Sequence, residues 1–353
     1  MEISGIKFKK DKRRHFASDN NAGIHPQILK AMIAANQGHT LGYGHDAYTE
    51  SAIKKFQEHF GKKIEVFFVF NGTAANVLGI RAVTQSYQSV ICAAPTHLNV
   101  AECGAMENFG GNKLLLIPTA NGKITVKDIK EQLQPGRGDQ HHAQAKVVSI
   151  AQTTDLGAVY NAGEIKEIAR FCHQNNLLLH MDGTRLANAC AALKCSLKEL
   201  TADVGVDILS FGGTKNGLML GEAVIFFQRN QARDFKYIRK QGMQLYSKMR
   251  FIAVQFEALL SQQLWYKNAQ HANAMAKELE SRLQQIPALA ITRQVESNMV
   301  YCQIPKKIIP RLWRKYLFHV YDEERSEIRL VASFDTTLQD VQGFVRALKT
   351  LLN

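Results

Sequence analysis

Lys215 stands in the segment Ser210-Phe211-Gly212-Gly213-Thr214-Lys215-Asn216-Gly217, directly after an apolar run. A lysine in a glycine-rich loop suggests phosphate binding, but the P-loop needs four residues between its glycines and a closing Gly-Lys-Ser or Gly-Lys-Thr, an order absent here. A plain surface lysine is the alternative. Asp182, in His180-Met181-Asp182-Gly183-Thr184-Arg185, also follows an apolar run. Alone it reads equally as the cap of a helix through Leu186 and Ala189. A third segment, Phe70-Asn71-Gly72-Thr73-Ala74-Ala75-Asn76, closes a strand and opens a helix, where free backbone N–H groups and a hydroxyl make an anion cradle.

The three segments together suggest more than each does alone. An amine for a carbonyl, an acid for a ring nitrogen and a cradle for a phosphate are the parts that pyridoxal-phosphate chemistry needs. The acid keeps the pyridine nitrogen protonated, so that the ring can accept the electrons left when a bond at a substrate's α-carbon breaks.

The elements that must position these residues are visible as a pattern. Val66 to Phe70, Ser89 to Ala93, Leu114 to Ile117, Val147 to Ala151, Leu177 to Met181, Ile208 to Phe211 and Ala223 to Phe227 are near-continuously apolar, as in strands covered on both faces. Helical periods lie between them, most clearly from Ala162 to Asn175, where Asn161 and Glu164 predict a capping box. This alternation predicts an α/β fold with a mostly parallel sheet flanked by helices. In such sheets ligands gather beyond the carboxyl ends of the strands, where the three segments fall. Past residue 230 the pattern changes: a helical stretch over Met243 to Gln285, strands near Asn298 to Gln303 and Glu327 to Ala332, and a last helix from Leu338 to Leu351. The expected division is an N-terminal arm over 1–15, a large cofactor-binding domain over 16–245 and a small α+β domain over 246–353.

In their order along the chain these segments resemble the aspartate-aminotransferase-fold (fold-type-I) group of pyridoxal-phosphate enzymes. Within it they resemble the low-specificity L-threonine aldolases of the β-eliminating lyase group. The resemblance covers nearly the whole chain. It is most specific at Phe16-Ala17-Ser18-Asp19-Asn20, Gly23-Ile24-His25-Pro26, the Asp182 and Lys215 segments, and Gly221-Glu222-Ala223, with support from Arg239-Lys240-Gln241 and Arg329-Leu330-Val331. It implies that Lys215 carries the cofactor as a Schiff base and that Asp182 meets the pyridinium nitrogen. It assigns Gly72, Thr73 and Thr214 to the cofactor site, and His97 to stacking on the ring. Ser18, Arg185 and Arg329 would hold the substrate carboxylate, with Arg185 also close to the cofactor. Lys240 would reach a neighbouring subunit's phosphate. The group that takes the substrate's hydroxyl proton would be His97, His141 or a water they hold, with His142 adjacent to His141. The chain departs from the family where Ala151-Gln152-Thr153-Thr154 replaces Glu-Asn-Thr-His, at Gly44-His45-Asp46 in place of Gly-Asp-Asp, and at Ser333 in place of a histidine.

The implied reaction is reversible cleavage of L-threonine and L-allo-threonine to glycine and an aldehyde. The rivals are another pyridoxal-phosphate lyase or racemase on the same scaffold, and a nucleic-acid-binding protein without cofactor, suggested by the net charge of +13. The tightest basic cluster, Lys7 to Arg14, is short, and no aromatic-basic interleaving accompanies the charge, which disfavours nucleic acid. A charged fraction of 21% against 46% hydrophobic residues is ordinary for a soluble domain, and no apolar run approaches membrane length. The first residues lack the apolar stretch of a secretory signal. The six cysteines fall mostly in apolar segments without CxxC spacing, which predicts reduced core thiols and no zinc site. A cytoplasmic enzyme with a small amino-acid substrate, assembled as a dimer or tetramer, without membrane or nucleic-acid partners, is the expectation.

Overall fold

The computed structural model describes residues 14–352, so that most of the expected 1–15 arm and its basic cluster lie outside the described residues. The described chain opens on a two-residue strand, β1 (Arg14–His15), followed by helices α1 (Pro26–Ala35) and α2 (Ala47–Phe60). The large sheet is then built from β2 (Glu65–Val69), β3 (Gln88–Ala93), β4 (Lys113–Ile117), β5 (Gln144–Ala151), β6 (Leu178–Gly183), β7 (Ile208–Gly212) and β8 (Glu222–Phe226). Between them run α3 (Gly72–Arg81), α4 (His97–Val100), α5 (Val126–Leu133), α6 (Ala162–Gln174) and α7 (Leu186–Leu193). After β8 come α8 (Phe235–Gln241), α9 (Arg250–Leu260) and α10 (Leu264–Gln284).

All seven expected strands are present, in the order β2-β8-β7-β6-β5-β3-β4. Only β8 runs antiparallel to its neighbours. The cause is the short link from Gly213 to Gly221, which cannot make the crossover of a dozen or more residues that a parallel neighbour requires. Helices cover both faces. Along β8, Ala223 and Ile225 pack with Phe56, Phe211 and Phe256 on one side; Val224 and Phe226 pack with Leu78 and Phe235 on the other. This period of two, apolar on both faces, is why the strands read as continuous apolar runs. In α6 the capping box forms, with Asn161 accepting from the Glu164 N–H and Glu164 from the Asn161 N–H.

The small domain is a four-stranded sheet of β9 (Ala290–Ile291), β10 (Met299–Gln303), β12 (His319–Asp322) and β13 (Glu327–Val331). Strand β11 (Tyr316–Leu317) pairs with β1, and the helices α11 (Ile309–Trp313) and α12 (Leu338–Leu352) complete the unit. The two cores divide inside α10. Leu264, Trp265 and Ala269 belong to the large core, and Ala276, Leu279 and Leu283 to the small one. Helix α9 packs entirely with the large core, so the division lies later than the expected 245/246 boundary. Phe16, expected to begin the large domain, is buried in the small-domain core because β1 joins β11. The expected single helical stretch is broken between α9 and α10, where Gln262 and Gln263 take left-handed backbone angles. No helix among the described residues is long and apolar enough to cross a membrane.

Candidate active site

The carboxyl ends of β2, β5, β6 and β7 surround a cavity of about 290 Å³. Lys215, Asp182, Arg185, Thr214, Gly72, Thr73 and His97 all line it. Strand direction explains the convergence, because each motif directly follows a strand of the parallel set.

Lys215 is brought close to the β6–α7 turn by the two preceding glycines. A Cβ on Gly212 would lie 2.3 Å from the Thr184 carbonyl oxygen, and one on Gly213 would lie 2.7 Å from that of Gly221. Only glycine allows these backbones to touch. Burial and the Arg185 guanidinium lower the Lys215 pKa, against the opposing carboxylates of Asp19, Asp182 and Glu222. The amine therefore reaches its neutral, nucleophilic form more readily than a surface lysine.

Asp182 is buried. Its Oδ1 accepts from the Thr184 backbone N–H at 3.0 Å and from the Thr184 hydroxyl, and its Oδ2 accepts from Asn76 Nδ2 at 2.9 Å. Burial alone would raise its pKa, but these hydrogen bonds and Lys215 outweigh it and hold the carboxyl below its usual value. Asp182 does not cap α7. The cap position is Arg185, which makes no side-chain capping bond. Asn76 also donates to Glu102 Oε1 at 2.9 Å, and that oxygen stands 2.9 Å from His97 Nδ1. The bond to Glu102 raises the His97 pKa, and burial opposes it. The His97 backbone N–H is tied to Asp155 Oδ2 at 2.8 Å, which fixes the start of α4. With Nδ1 committed to Glu102, Nε2 is the ring nitrogen left for the cavity.

At the helix start, Asn71 caps α3 by accepting from the Ala74 N–H, and the N–H groups of Gly72 and Thr73, at the cavity wall, have no partner inside the helix. Across the cavity the Arg185 guanidinium grips Asp19 with two bonds, Nε to Oδ2 at 2.8 Å and Nη2 to Oδ1 at 3.0 Å. Asn298 of the small domain donates to the same Asp19 at 3.2 Å.

A family model of beta-eliminating lyases matches residues 15–305. The chain belongs to the beta-eliminating lyase family. Among its relatives, a low specificity L-threonine aldolase of Pseudomonas aeruginosa is 42% identical over 347 residues, 97% of this chain and 99% of the relative. Another from a Pseudomonas species is 44% identical over 87% of this chain and 90% of the relative. The solved threonine aldolase of Leishmania major superposes with a TM-score of 0.91 at 28% identity, covering 96% of this chain and all of the other. The fold is accordingly that of fold-type-I pyridoxal-phosphate enzymes.

Not every expected residue joins this lyase cavity. Ser18 and Arg329 lie beside it: Arg329 Nη2 approaches the Ala17 carbonyl at 3.5 Å, and the Ser18 hydroxyl accepts from the Asn20 N–H. His141 is corrected. It is exposed, ahead of β5, whereas the cavity lies past Ala151. At about 3.3 Å per residue the strand alone puts roughly 20 Å between them. Neighbouring His142 is exposed on the same turn. Lys240 is exposed at the end of α8, over the Tyr43 ring at 5.6 Å, outside this chain's cavity. The residues that sequence reading missed are Asp19, Asn76, Glu102, Asp155 and Glu222. Asn76 carried a usable signal, one turn along α3 from Thr73; Asp19 and Glu222 stood inside segments singled out above without a role of their own, and Glu102 and Asp155 carried none.

The lining fits pyridoxal phosphate in its donor set. Lys215 offers an amine to an aldehyde, Asp182 an ionised oxygen to a pyridine N–H, and Gly72, Thr73 and Thr214 offer N–H and hydroxyl donors to a phosphate.

Glu222 adds a carboxyl to the same wall. It is buried, accepts from the Gly213 N–H at 2.6 Å, and burial pushes its pKa up to about 7. Its folded-state value thus exceeds the unfolded one. The stability it contributes is complete below the ordinary carboxyl range and is lost as pH rises toward 7. Glutamine cannot ionise. Glu222→Gln is therefore expected to gain stability relative to the parent between pH 5 and 8, by on the order of 3 kcal/mol at most. Urea unfolding of both proteins without cofactor at the two pH values measures this. An unchanged difference would show that Glu222 ionises as freely folded as unfolded.

Proposed function

We propose that this chain is a low-specificity L-threonine aldolase, cleaving L-threonine and L-allo-threonine to glycine and acetaldehyde, and other L-β-hydroxy-α-amino acids to glycine and the matching aldehyde. The observation that carries the reading is the pairing of a lowered-pKa lysine with a buried, hydrogen-bonded carboxylate across one cavity, in a chain close in sequence to such aldolases. When bound, pyridoxal phosphate supplies an electron-accepting ring for the pair released as the substrate's Cα–Cβ bond breaks. Lys215 would hold the cofactor through its amine, and that amine is the group placed to carry a proton at the substrate's α-carbon. Asp182, fixed by Thr184 and Asn76, holds the ring-nitrogen proton. Gly72, Thr73 and Thr214 would hold the phosphate and His97 would lie against the ring.

Arg185 and Arg329 orient the substrate carboxylate with Ser18. Arg185 is pre-aligned by Asp19, which leaves its Nη1 edge for the substrate. His97 is also the residue within the cavity best placed to take the β-hydroxyl proton, directly or through water. Glu102 stabilises the imidazolium that results. We further assign the enzyme to the cytoplasm and to a homo-oligomer. Support for association comes from a patch around Tyr43, whose N–H bonds the Ser247 carbonyl. Leu41 is 71% exposed there and Met243 72%. Lys240 lies on the same patch, in keeping with a contribution to a neighbouring subunit's site.

The α-carbon is held at two substituents, its amine and its carboxylate, whereas Cβ is fixed by one hydroxyl contact. One such contact is worth about 1 kcal/mol net, or up to about 3 if charged, so discrimination at Cβ is modest. The holoenzyme is therefore expected to release glycine from L-threonine and from L-allo-threonine, and not from D-threonine. Product analysis on the three isomers tests the function. Formation of 2-oxobutanoate in place of glycine and acetaldehyde would assign a dehydrating lyase. Comparable rates on D- and L-threonine would contradict the two-point hold.

A further inference from the structure

Helix α7, which starts at the residue after Arg185, ends in a turn that brings two thiols together. Lys194 takes the left-handed conformation, φ 55° and ψ 45°, and the Cys195 N–H reaches back to the Cys190 carbonyl at 3.1 Å. This is the six-to-one hydrogen bond of a Schellman motif, with Cys190 four residues before the left-handed Lys194 and Cys195 directly after it. That motif characteristically sets those two side chains against each other as an apolar contact. Here both are cysteines, the Cys190 thiol donates to the Ser196 carbonyl at 3.6 Å, one residue past Cys195, and each thiol shifts the other's titration. Cys190 is fully buried, while Cys195 is partly open to solvent.

We propose that Cys190 and Cys195 form a reversible intrachain disulfide by exchange with low-molecular-weight disulfides. The asymmetry of exposure sets the order of events. Cys195, the reachable sulfur, loses its proton and bonds to one sulfur of the small disulfide; the S–S bond there breaks and one thiolate leaves. The Cys190 sulfur then bonds to the Cys195 sulfur and the second thiolate leaves. The two protein thiols give up two electrons and two protons, and the small disulfide is reduced to two thiols. The contact with Cys190 lowers the Cys195 pKa, and burial raises that of Cys190, in keeping with Cys195 attacking first. Cys92, Cys172 and Cys302 are buried apart from this turn, whereas Cys103 is exposed and singly placed.

The holoenzyme is incubated with oxidised glutathione, remaining thiols are alkylated, and the protein is cut with trypsin. Cleavage after Arg185, Lys194 and Lys198 puts the two cysteines on separate peptides, 186–194 and 195–198. The proposal predicts that these are recovered joined, two hydrogens lighter than their sum, and that a dithiol reductant separates them. In Cys190→Ser the exchange stops halfway, leaving one glutathione on Cys195. Separate 186–194 and 195–198 peptides from the parent protein overturn the proposal, whether Cys195 remains a thiol or stops at the glutathione adduct. The parent protein alone decides this, whether or not the variant folds.

Discussion

Lys215→Ala is expected to abolish useful turnover of L-threonine, with a loss of at least about 10⁴-fold, while the fold is kept. Two functions disappear together: the amine that holds the cofactor and the proton carrier beside the α-carbon. Positioned proton transfer alone is worth roughly 10²- to 10⁴-fold, and loss of the covalent hold adds to it. The fold should survive because Lys215 contributes no apolar core. The structural demand of its loop falls on Gly212 and Gly213, which meet the Thr184 and Gly221 carbonyls. Steady-state glycine release and a far-ultraviolet dichroism spectrum measure the two halves. Turnover within tenfold of the parent would remove Lys215 from the chemistry.

Asp182→Asn is expected to have the second largest effect. The amide keeps the shape and can still accept from the Thr184 N–H, but the negative charge is gone. A carboxylate about 4 Å from a pyridinium N–H stabilises it by roughly 4 kcal/mol at a protein-like dielectric. Loss of that amount at the transition state is about a thousandfold in rate. The variant also turns one N–H₂ group toward Asn76 Nδ2, so a modest loss of stability accompanies the kinetic one. Near-parental turnover would make Asp182 a structural anchor of its turn and no more.

Strand direction made much of the site legible in the sequence. Asp182, Lys215 and the Gly72 turn each close an apolar run, and all these runs but β8 are parallel strands whose carboxyl ends meet at one edge. The same logic applies to His141. It precedes β5, so it belongs at the opposite end of the sheet, and matching it by resemblance alone overrode that rule. The roles of Asp19, Glu102, Asp155 and Glu222 were not legible, because a polar residue packed against the interior leaves no period. Asp19 and Asp155 meet partners distant in the chain, Asp19 through Arg185 and Asn298 and Asp155 through His97. The break between α9 and α10 was equally hidden. Two left-handed glutamines make it, where sequence signals would be glycine or proline. Strands β9 and β11, two residues each, are too short to show alternation.

The central claim, that Lys215 carries the cofactor opposite Asp182, is tested most directly by borohydride reduction of the holoenzyme followed by tryptic mapping. Trypsin normally cuts after Lys198, Lys215 and Arg229. A cofactor fixed on Lys215 blocks the middle cut, and the predicted result is one labelled peptide over residues 199–229. Label on any other lysine, with residues 199–215 and 216–229 recovered separately and unlabelled, would contradict the account.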